Sequence, residues 1–155
     1  MVVIGSGVAG LMSALELPDS SRVLLLSRDI STPPASRWAQ GGLAAAIGPD
    51  DSPALHRSDT LAAGAGLCEP MAVDCLVEKA PGCIRNLLSL GLNLDRQGES
   101  LSTTLEAAHS RRRVLHARDQ TGLALVELLE HCIENRPNVT WWRGAIALQL
   151  LQTSG

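Results

Sequence analysis

Six residues near the start constrain this chain more than any others. Gly5-Ser6-Gly7-Val8-Ala9-Gly10 stands between a short apolar run, Val2-Val3-Ile4, and a segment whose apolar residues recur at helical spacing. A bare GxGxxG string is common and weak. Set between a strand and a helix, with a second strand to follow, it describes the phosphate-binding turn of a dinucleotide fold. The chemistry depends on absent side chains. Gly5 allows the tight turn, Gly7 lets a diphosphate approach the backbone, and Gly10 lets the helix pack against the strand. The unbonded N–H groups and the positive end of the helix dipole then face the phosphates. Val8, Leu11, Met12 and Leu15 mark that helix over residues 8–17, and Pro18-Asp19-Ser20-Ser21 ends it. Residues 23–27, Val-Leu-Leu-Leu-Ser, read as a second strand of the kind buried in parallel sheets. A right-handed crossover puts the two strands side by side, and the expected fold is α/β and Rossmann-like.

Composition narrows the partners. The 155 residues suit a globular domain, with 45% apolar and 19% charged residues. A net charge of -3 gives no electrostatic reason to expect nucleic acid or an anionic membrane as partner. The apolar runs are far too short to span a bilayer, and no export signal precedes the first of them. Cys68, Cys75, Cys83 and Cys132 form no CxxC pair, which reads as reduced, mostly buried thiols in a cytoplasmic setting, with no metal. Phe and Tyr are absent, so the core must come from Leu, Ala, Val and Ile. Strands that feed such turns usually run about five or six residues. Three residues after Met1 are short of that, and the chain reads as the front part of a longer protein.

Further along, residues 29–37 form a loop around Pro33-Pro34, and 43–46 suit either strand or helix. Residues 53–64 read as helical. Residues 69–90 read as two helices broken at Pro81-Gly82. Residues 92–105 are short irregular or β structure around Gly98. Residues 121–135 are a strong helix with Leu125, Leu128, Leu129 and Cys132 as one stripe, capped by Asp119 or Thr121. Residues 139–142 return as a strand, and 146–151 suit another. Val2-Val3-Ile4 is expected to be buried.

The first thirty residues leave the cofactor open. An acidic residue should close the second strand and hold the adenosine ribose. The chain has Ser27-Arg28-Asp29 there, with Asp29 one or two positions late and Arg28 suited to a 2′-phosphate. The segment Ser36-Arg37-Trp38-Ala39-Gln40-Gly41-Gly42 is a second loop that exposes backbone. A nicotinamide dehydrogenase has no need of it. An extended flavin cofactor needs donors along its ribityl chain and around its ring.

Four stretches together carry a resemblance: VVIGSGVAGLMSAL at 2–15, WAQGGLAAA at 38–46, DTLAAGAGLC at 59–68 and LEAAHSRRRVLHARDQTG at 105–122. In this order and spacing they resemble the succinate dehydrogenase/fumarate reductase flavoprotein family. The last stretch resembles its L-aspartate oxidase branch. The resemblance implies an FAD-binding domain of the GR2 type whose capping and helical domains lie outside these 155 residues. It implies that Gly5, Ser6, Gly7, Val8, Ala9 and Gly10 line the FAD diphosphate, and that Ser27 and Arg28 lie beside the adenosine. Ala35, Ser36, Arg37, Trp38, Ala39, Gln40, Gly41 and Gly42 would wrap the flavin end, with Ile146 and Ala147 approaching the adenine. Respiratory relatives attach FAD through a histidine four residues before the Ala of AQGG. Ala35 occupies that place, so FAD is expected to be non-covalent.

The same resemblance implies that Glu106 meets the amino group of L-aspartate, a pairing that succinate has no ammonium to make. Taken alone, Glu106 reads as a solvated loop residue. His109 is a candidate active-site neighbour of Glu106, while His116, read singly, is a structural hydrogen-bonding residue. Arg111-Arg112-Arg113 reads as a solvated run or an anion site, in which at most two side chains face a ligand. The implied reaction is FAD-dependent oxidation of L-aspartate to iminoaspartate, with oxygen or fumarate as electron acceptor. The arginine and histidines that grip the substrate belong to later segments. A fumarate reductase-like flavoprotein and a non-catalytic dinucleotide-binding module are the competing readings.

Overall fold

The computed structural model describes residues 1–28, 31 and 33–151. Asp29 therefore lies outside the described residues, as do the last residues from 152 onward. In chain order the elements are β1 (Val2–Ile4), α1 (Val8–Glu16), β2 (Val23–Ser27), a 3-10 turn (Ala35–Trp38), β3 (Leu43–Ala44), α2 (Pro53–Ala63), α3 (Pro70–Leu90), β4 (Arg96–Gln97), β5 (Ser100–Leu101), β6 (Thr103–Thr104), β7 (Val114–Leu115), α4 (Thr121–Glu134) and β8 (Val139–Arg143). They divide into two compact units, residues 1–39 with 122–155 and residues 40–121.

The first unit is a parallel sheet of order β1-β2-β8. Val2 pairs with Leu24 and Ile4 with Leu26, and β8 continues the register from Val23 opposite Val139 to Ser27 opposite Arg143. The expected β-α-β unit is present. The core is Leu11 and Ala14 of α1, Val23 and Leu25 of β2, and Leu125, Val126, Leu129 and Ile133 of α4. Two expectations change here. β1 is not buried: Val2 and Ile4, which share one face of the strand, are 60% and 65% exposed, and Val3 is half-buried. The inner stripe of α4 is Leu125, Val126, Leu129 and Ile133, with Leu128 and Cys132 only half-buried. A 3.6-residue repeat accepts either neighbouring stripe, and tertiary packing selects one. Residues 146–151 form no strand.

The second unit holds the pair α2 and α3, a sheet of order β3-β7-β6 and the β4-β5 hairpin. Ser52 caps α2 by accepting the Leu55 N–H at 3.2 Å, and Pro53 occupies its first turn. The helix α3 runs unbroken through Pro81, contrary to the expected break. Val73, Val77, Ile84 and Leu87 lie buried on one face on both sides of the proline, so continuous burial outweighs the lost hydrogen bond. Gly91 ends the helix in the left-handed region, φ 110°, with its N–H returned to Leu87 and Leu88 carbonyls. The cysteines are unpaired, and Cys75 and Cys83 are exposed, not buried as expected. No described helix is long and apolar enough to cross a membrane.

Candidate functional site

In the first unit, a cavity of about 350 Å³ opens at the carboxyl ends of the three parallel strands. Ligands of open α/β sheets bind at such ends. Its walls come from four segments: Ile4 to Gly7 after β1, Leu26 to Arg28 at the end of β2, Pro34-Ala35, and Ala145 to Ala147 after β8. Gly5, Ser6, Gly7, Ser27, Arg28, Ala35, Ile146 and Ala147 were all expected at the cofactor, and the structure gathers all eight at this one cavity. The volume falls toward the lower end of the ~300–1,000 Å³ range of ligand pockets.

The backbone geometry accounts for two of the turn's glycines, Gly5 and Gly10. Gly5 has φ +104°, and its N–H donates to the Leu26 carbonyl at 2.8 Å, tying the turn to β2. A side chain on Gly10 would overlap the Gly5 carbonyl oxygen, so only glycine lets α1 start this close to the turn. Gly7 precedes α1 without a side-chain cap. A Cβ on Gly7 would lie 3.2 Å from the Ser36 hydroxyl, which itself accepts the Val8 N–H at 3.3 Å. Ser36 thus stands at the first turn of α1 beside the bare N–H groups. A glycine turn of this kind, running into a helix N-terminus, has the chemistry to fit a diphosphate. The exposed Arg28 adds a positive charge to the rim.

The other expected cofactor residues have more varied surroundings. The Ser27 hydroxyl accepts from the Trp141 indole at 2.8 Å, and the Arg143 guanidinium stacks over that indole at 3.8 Å. Arg37 donates to Glu127 at 2.9 Å and lies 3.6 Å from Glu130, so its charge holds the 3-10 turn to α4. Burial pushes the Glu130 carboxyl up despite the Arg37 and Arg143 charges. Trp38 is 71% exposed. Ala39 accepts the Gly122 N–H at 2.9 Å. A side chain on Gly122 would strike the Ser36 carbonyl and Ala39. Sequence reasoning took Gly122 only as part of a helix start. A lone glycine in the first turn of a helix was the signal that something packs against it.

Gln40, Gly41 and Gly42 belong to the second unit. Gly41 has open space around it, whereas a side chain on Gly42 would meet Val114, the Leu115 carbonyl and His116. Gly42 is therefore required by packing on β7.

Also in the second unit, the two candidate catalytic residues enter different networks. Glu106 Oε1 lies 3.0 Å from His116 Nε2, which also lies 3.0 Å from the Thr104 hydroxyl. His116 lines a cavity of about 300 Å³ with Asp95, Ser102, Thr104, Arg118 and Asp119. His109 is turned elsewhere: its Nδ1 lies 3.2 Å from Arg113, and its ring meets the edge of His56 with centroids 5.6 Å apart. Arg113 is fully buried. It makes two 2.8 Å hydrogen bonds to Asp51 and one of 2.6 Å to Asp59, whose carboxylate also accepts the Ser110 N–H and hydroxyl.

The electrostatics of that network follow from these contacts. The Ser110 N–H, with the Ser110 hydroxyl and Arg113, brings the Asp59 carboxyl down to about 2 against the opposing effect of burial. Burial works to raise Asp51, but the Arg113 and Ser52 hydrogen bonds prevail and lower it. Asp51 in turn raises Arg113. Burial, then the Arg113 charge, lowers His56, whose Nδ1 is buried without a partner. Of the Arg111-Arg112-Arg113 run, Arg111 donates to the Asp50 carbonyl and Arg112 to that of Thr103. The run is an anchor for the loop that carries Glu106. Asp51, Asp59 and His56 escaped sequence reasoning, since nothing local marks an acid as the partner of an arginine more than fifty residues away.

Comparison with known proteins agrees with this geometry. The FAD binding domain family matches residues 1–155. The L-aspartate oxidase of Synechocystis sp. is 54% identical over 97% of the chain, and that of Nostoc sp. 51% identical over 97%. The chain spans about a quarter of those relatives' length, 27% and 26%. Among solved structures, a quinol-fumarate reductase with menaquinol molecules aligns with TM-score 0.87 at 26% identity, covering 93% of this chain and 26% of that one. An E. coli quinol fumarate reductase FrdA mutant aligns with TM-score 0.84 at 26% identity, covering 90% and 25%. With a cavity at the strand ends and a glycine turn on its wall, the chain belongs to the FAD binding domain family, in the succinate dehydrogenase/fumarate reductase flavoprotein fold.

Proposed function

We propose that this chain provides the FAD-binding part of a flavoenzyme that oxidises L-aspartate to iminoaspartate, the first step of de novo NAD biosynthesis. FAD, when bound, supplies the two-electron acceptor, and oxygen or fumarate takes the electrons onward. The chain's own residues do the holding. The Gly5–Gly10 turn and Ser36 grip the diphosphate, Arg28 flanks the adenosine side, and Ala35 offers no side chain for a covalent link. Glu106 is the seat for the α-ammonium, and bringing the C–H bond to the acceptor falls to the substrate-gripping groups of later segments.

The observation that carries the reading is Glu106 itself. It is a half-exposed carboxylate held by an imidazole, a feature that an ammonium-bearing dicarboxylate can use and succinate cannot. The names of the relatives at 51% and 54% identity support the same substrate. The fold neighbours support fumarate reduction as the second reading. Against it stand Ala35 and Glu106. The unpaired thiols fit a cytoplasmic site of action.

Peroxide release from L-aspartate with added FAD tests the proposal. The 155 residues are expected to bind FAD with little or no turnover, and to turn over L-aspartate in preference to succinate once the remaining length of a relative is supplied. Robust turnover by the 155 residues alone would contradict the need for later segments. Preference for succinate would favour the second reading. FAD binding that stays inert after the remaining length is supplied would favour a non-catalytic module.

A further inference from the structure

Strand β2 closes on Ser27, where other dinucleotide folds carry a carboxylate for the adenosine ribose. Among the described residues that line the cavity there is no carboxylate, and Ser27 and Arg28 supply the polar side chains at this strand end. Ser27 is only 7% exposed, and its groups are largely committed. Its carbonyl accepts the Ala145 N–H at 2.9 Å. Its hydroxyl lies 2.8 Å from the Trp141 indole nitrogen. The direction of that bond is fixed, because an indole N–H only donates. Ser27 Oγ is therefore an acceptor toward Trp141, and its own hydrogen is left to be given elsewhere. Among the described residues no acceptor takes it. Trp141 is itself held in place. The register sets Leu25 opposite Trp141 and Ser27 opposite Arg143, so Ser27, Trp141 and Arg143 share one face of the sheet. The Arg143 guanidinium lies over the indole at 3.8 Å and donates to Glu134 of α4 at 2.7 Å. That tie to α4 keeps the ring in the orientation that reaches Ser27.

We propose that Trp141 is a positioning residue for the cofactor, which acts through Ser27. By donating to Ser27 Oγ, the indole turns the Ser27 hydroxyl into a hydrogen-bond donor for an oxygen of the adenosine ribose. A carboxylate at the end of β2 would accept from a ribose hydroxyl. This strand end offers the opposite polarity, an O–H donor beside the Arg28 cation. Without the indole N–H the hydroxyl is free to rotate, and the donor is no longer aimed. The proposal rests on the reading of this cavity as the FAD site.

The test is calorimetric titration of the folded chain with ADP, which carries the adenosine and diphosphate without the flavin, and with FAD alongside. Trp141→Phe keeps an aromatic ring beneath Arg143 and removes the N–H. It is expected to raise the dissociation constant for both ligands about fivefold, and Ser27→Ala at least as much. The double variant should match Ser27→Ala, since both changes act through one hydroxyl. In NMR, the Trp141 indole N–H resonance is identified by its loss in Trp141→Phe. It should shift when ADP is added to the unaltered chain, and far less in Ser27→Ala. Equal affinities in the unaltered and Trp141→Phe chains, additive losses in the double variant, or an indole resonance indifferent to bound ADP overturn the role of Trp141 and leave the cofactor reading standing. No saturable binding of ADP or FAD by the folded, unaltered chain overturns both.

Discussion

Gly10 is the residue on which the cofactor cradle depends most directly, because any Cβ there overlaps the Gly5 carbonyl oxygen. Gly10→Ala should force α1 away from the turn, lower stability by about 1–3 kcal/mol and weaken FAD binding, as read by urea unfolding and flavin titration. Arg113 plays the corresponding part in the second unit. Removing it as Arg113→Ala leaves Asp51 with a wholly buried side chain and no counter-charge, which should cost about 3–5 kcal/mol in urea unfolding. The same network predicts how stability changes with pH. His56 has a lowered pKa, so the unfolded chain takes up its proton first, and stability should decline as the pH drops below the ordinary histidine value of about 6.5. Asp51 and Asp59 are also lowered. Their contribution is complete above the ordinary carboxylate value of about 3.9 and, for Asp59, is lost as the pH falls through about 2. Thermal melts should therefore show two descending steps toward acid, and His56→Gln should remove the first. Gly5 and Gly10 were legible because the turn needs a positive φ at one and a close helix approach at the other, a pattern contained in six consecutive residues. Arg113 was legible only as a charge. Its partners Asp51 and Asp59 lie 62 and 54 residues away, and no local pattern joins them.

Helix α3 shows where a sound local rule gives way to packing. Proline inside a helix loses a hydrogen bond and crowds the preceding turn, so a break at Pro81 was the right expectation from local chemistry. The buried face Val73, Val77, Ile84 and Leu87 spans the site and keeps the helix whole. Pro81→Ala should then stabilise the second unit by about 2 kcal/mol, the helical penalty of proline less its restriction of the unfolded chain, measured as a raised unfolding midpoint. An unchanged or lowered midpoint would mean that Pro81 is itself needed in the packing. For α4, the existence and length of the helix were legible from its periodicity, but the buried stripe was not. Val126 and Ile133 replaced Leu128 and Cys132 because the choice between adjacent stripes is made by the surrounding packing, which the helix's own sequence does not contain. The strands divide in the same way. β2 was legible as a continuous apolar run, whereas β1 resembles it in sequence and is exposed at Val2 and Ile4, because burial depends on what covers the sheet face and not on the strand's own sequence.

At the scale of the whole chain, the two compact units hold separate features: a parallel sheet whose strand ends open on a cavity, and a unit in which Glu106 is held by His116. The lining of the first was legible in large part, since Gly5, Ser6, Gly7, Ser27, Arg28, Ala35, Ile146 and Ala147 gather at the same cavity. The second was legible only in Glu106. The histidine that engages it is His116 and not the nearer His109, since the turn through Glu106 to Ser110 sends the His109 ring toward Arg113. The central claim is that the glycine turn holds FAD without a covalent bond, and the most direct measurement is a flavin titration of the folded chain by fluorescence, followed by denaturation and separation. The account predicts saturable binding of one FAD per chain, weakened in Gly10→Ala, with all flavin released on denaturation. Absence of saturable binding by the folded chain, or flavin that stays with the polypeptide after denaturation, would contradict it.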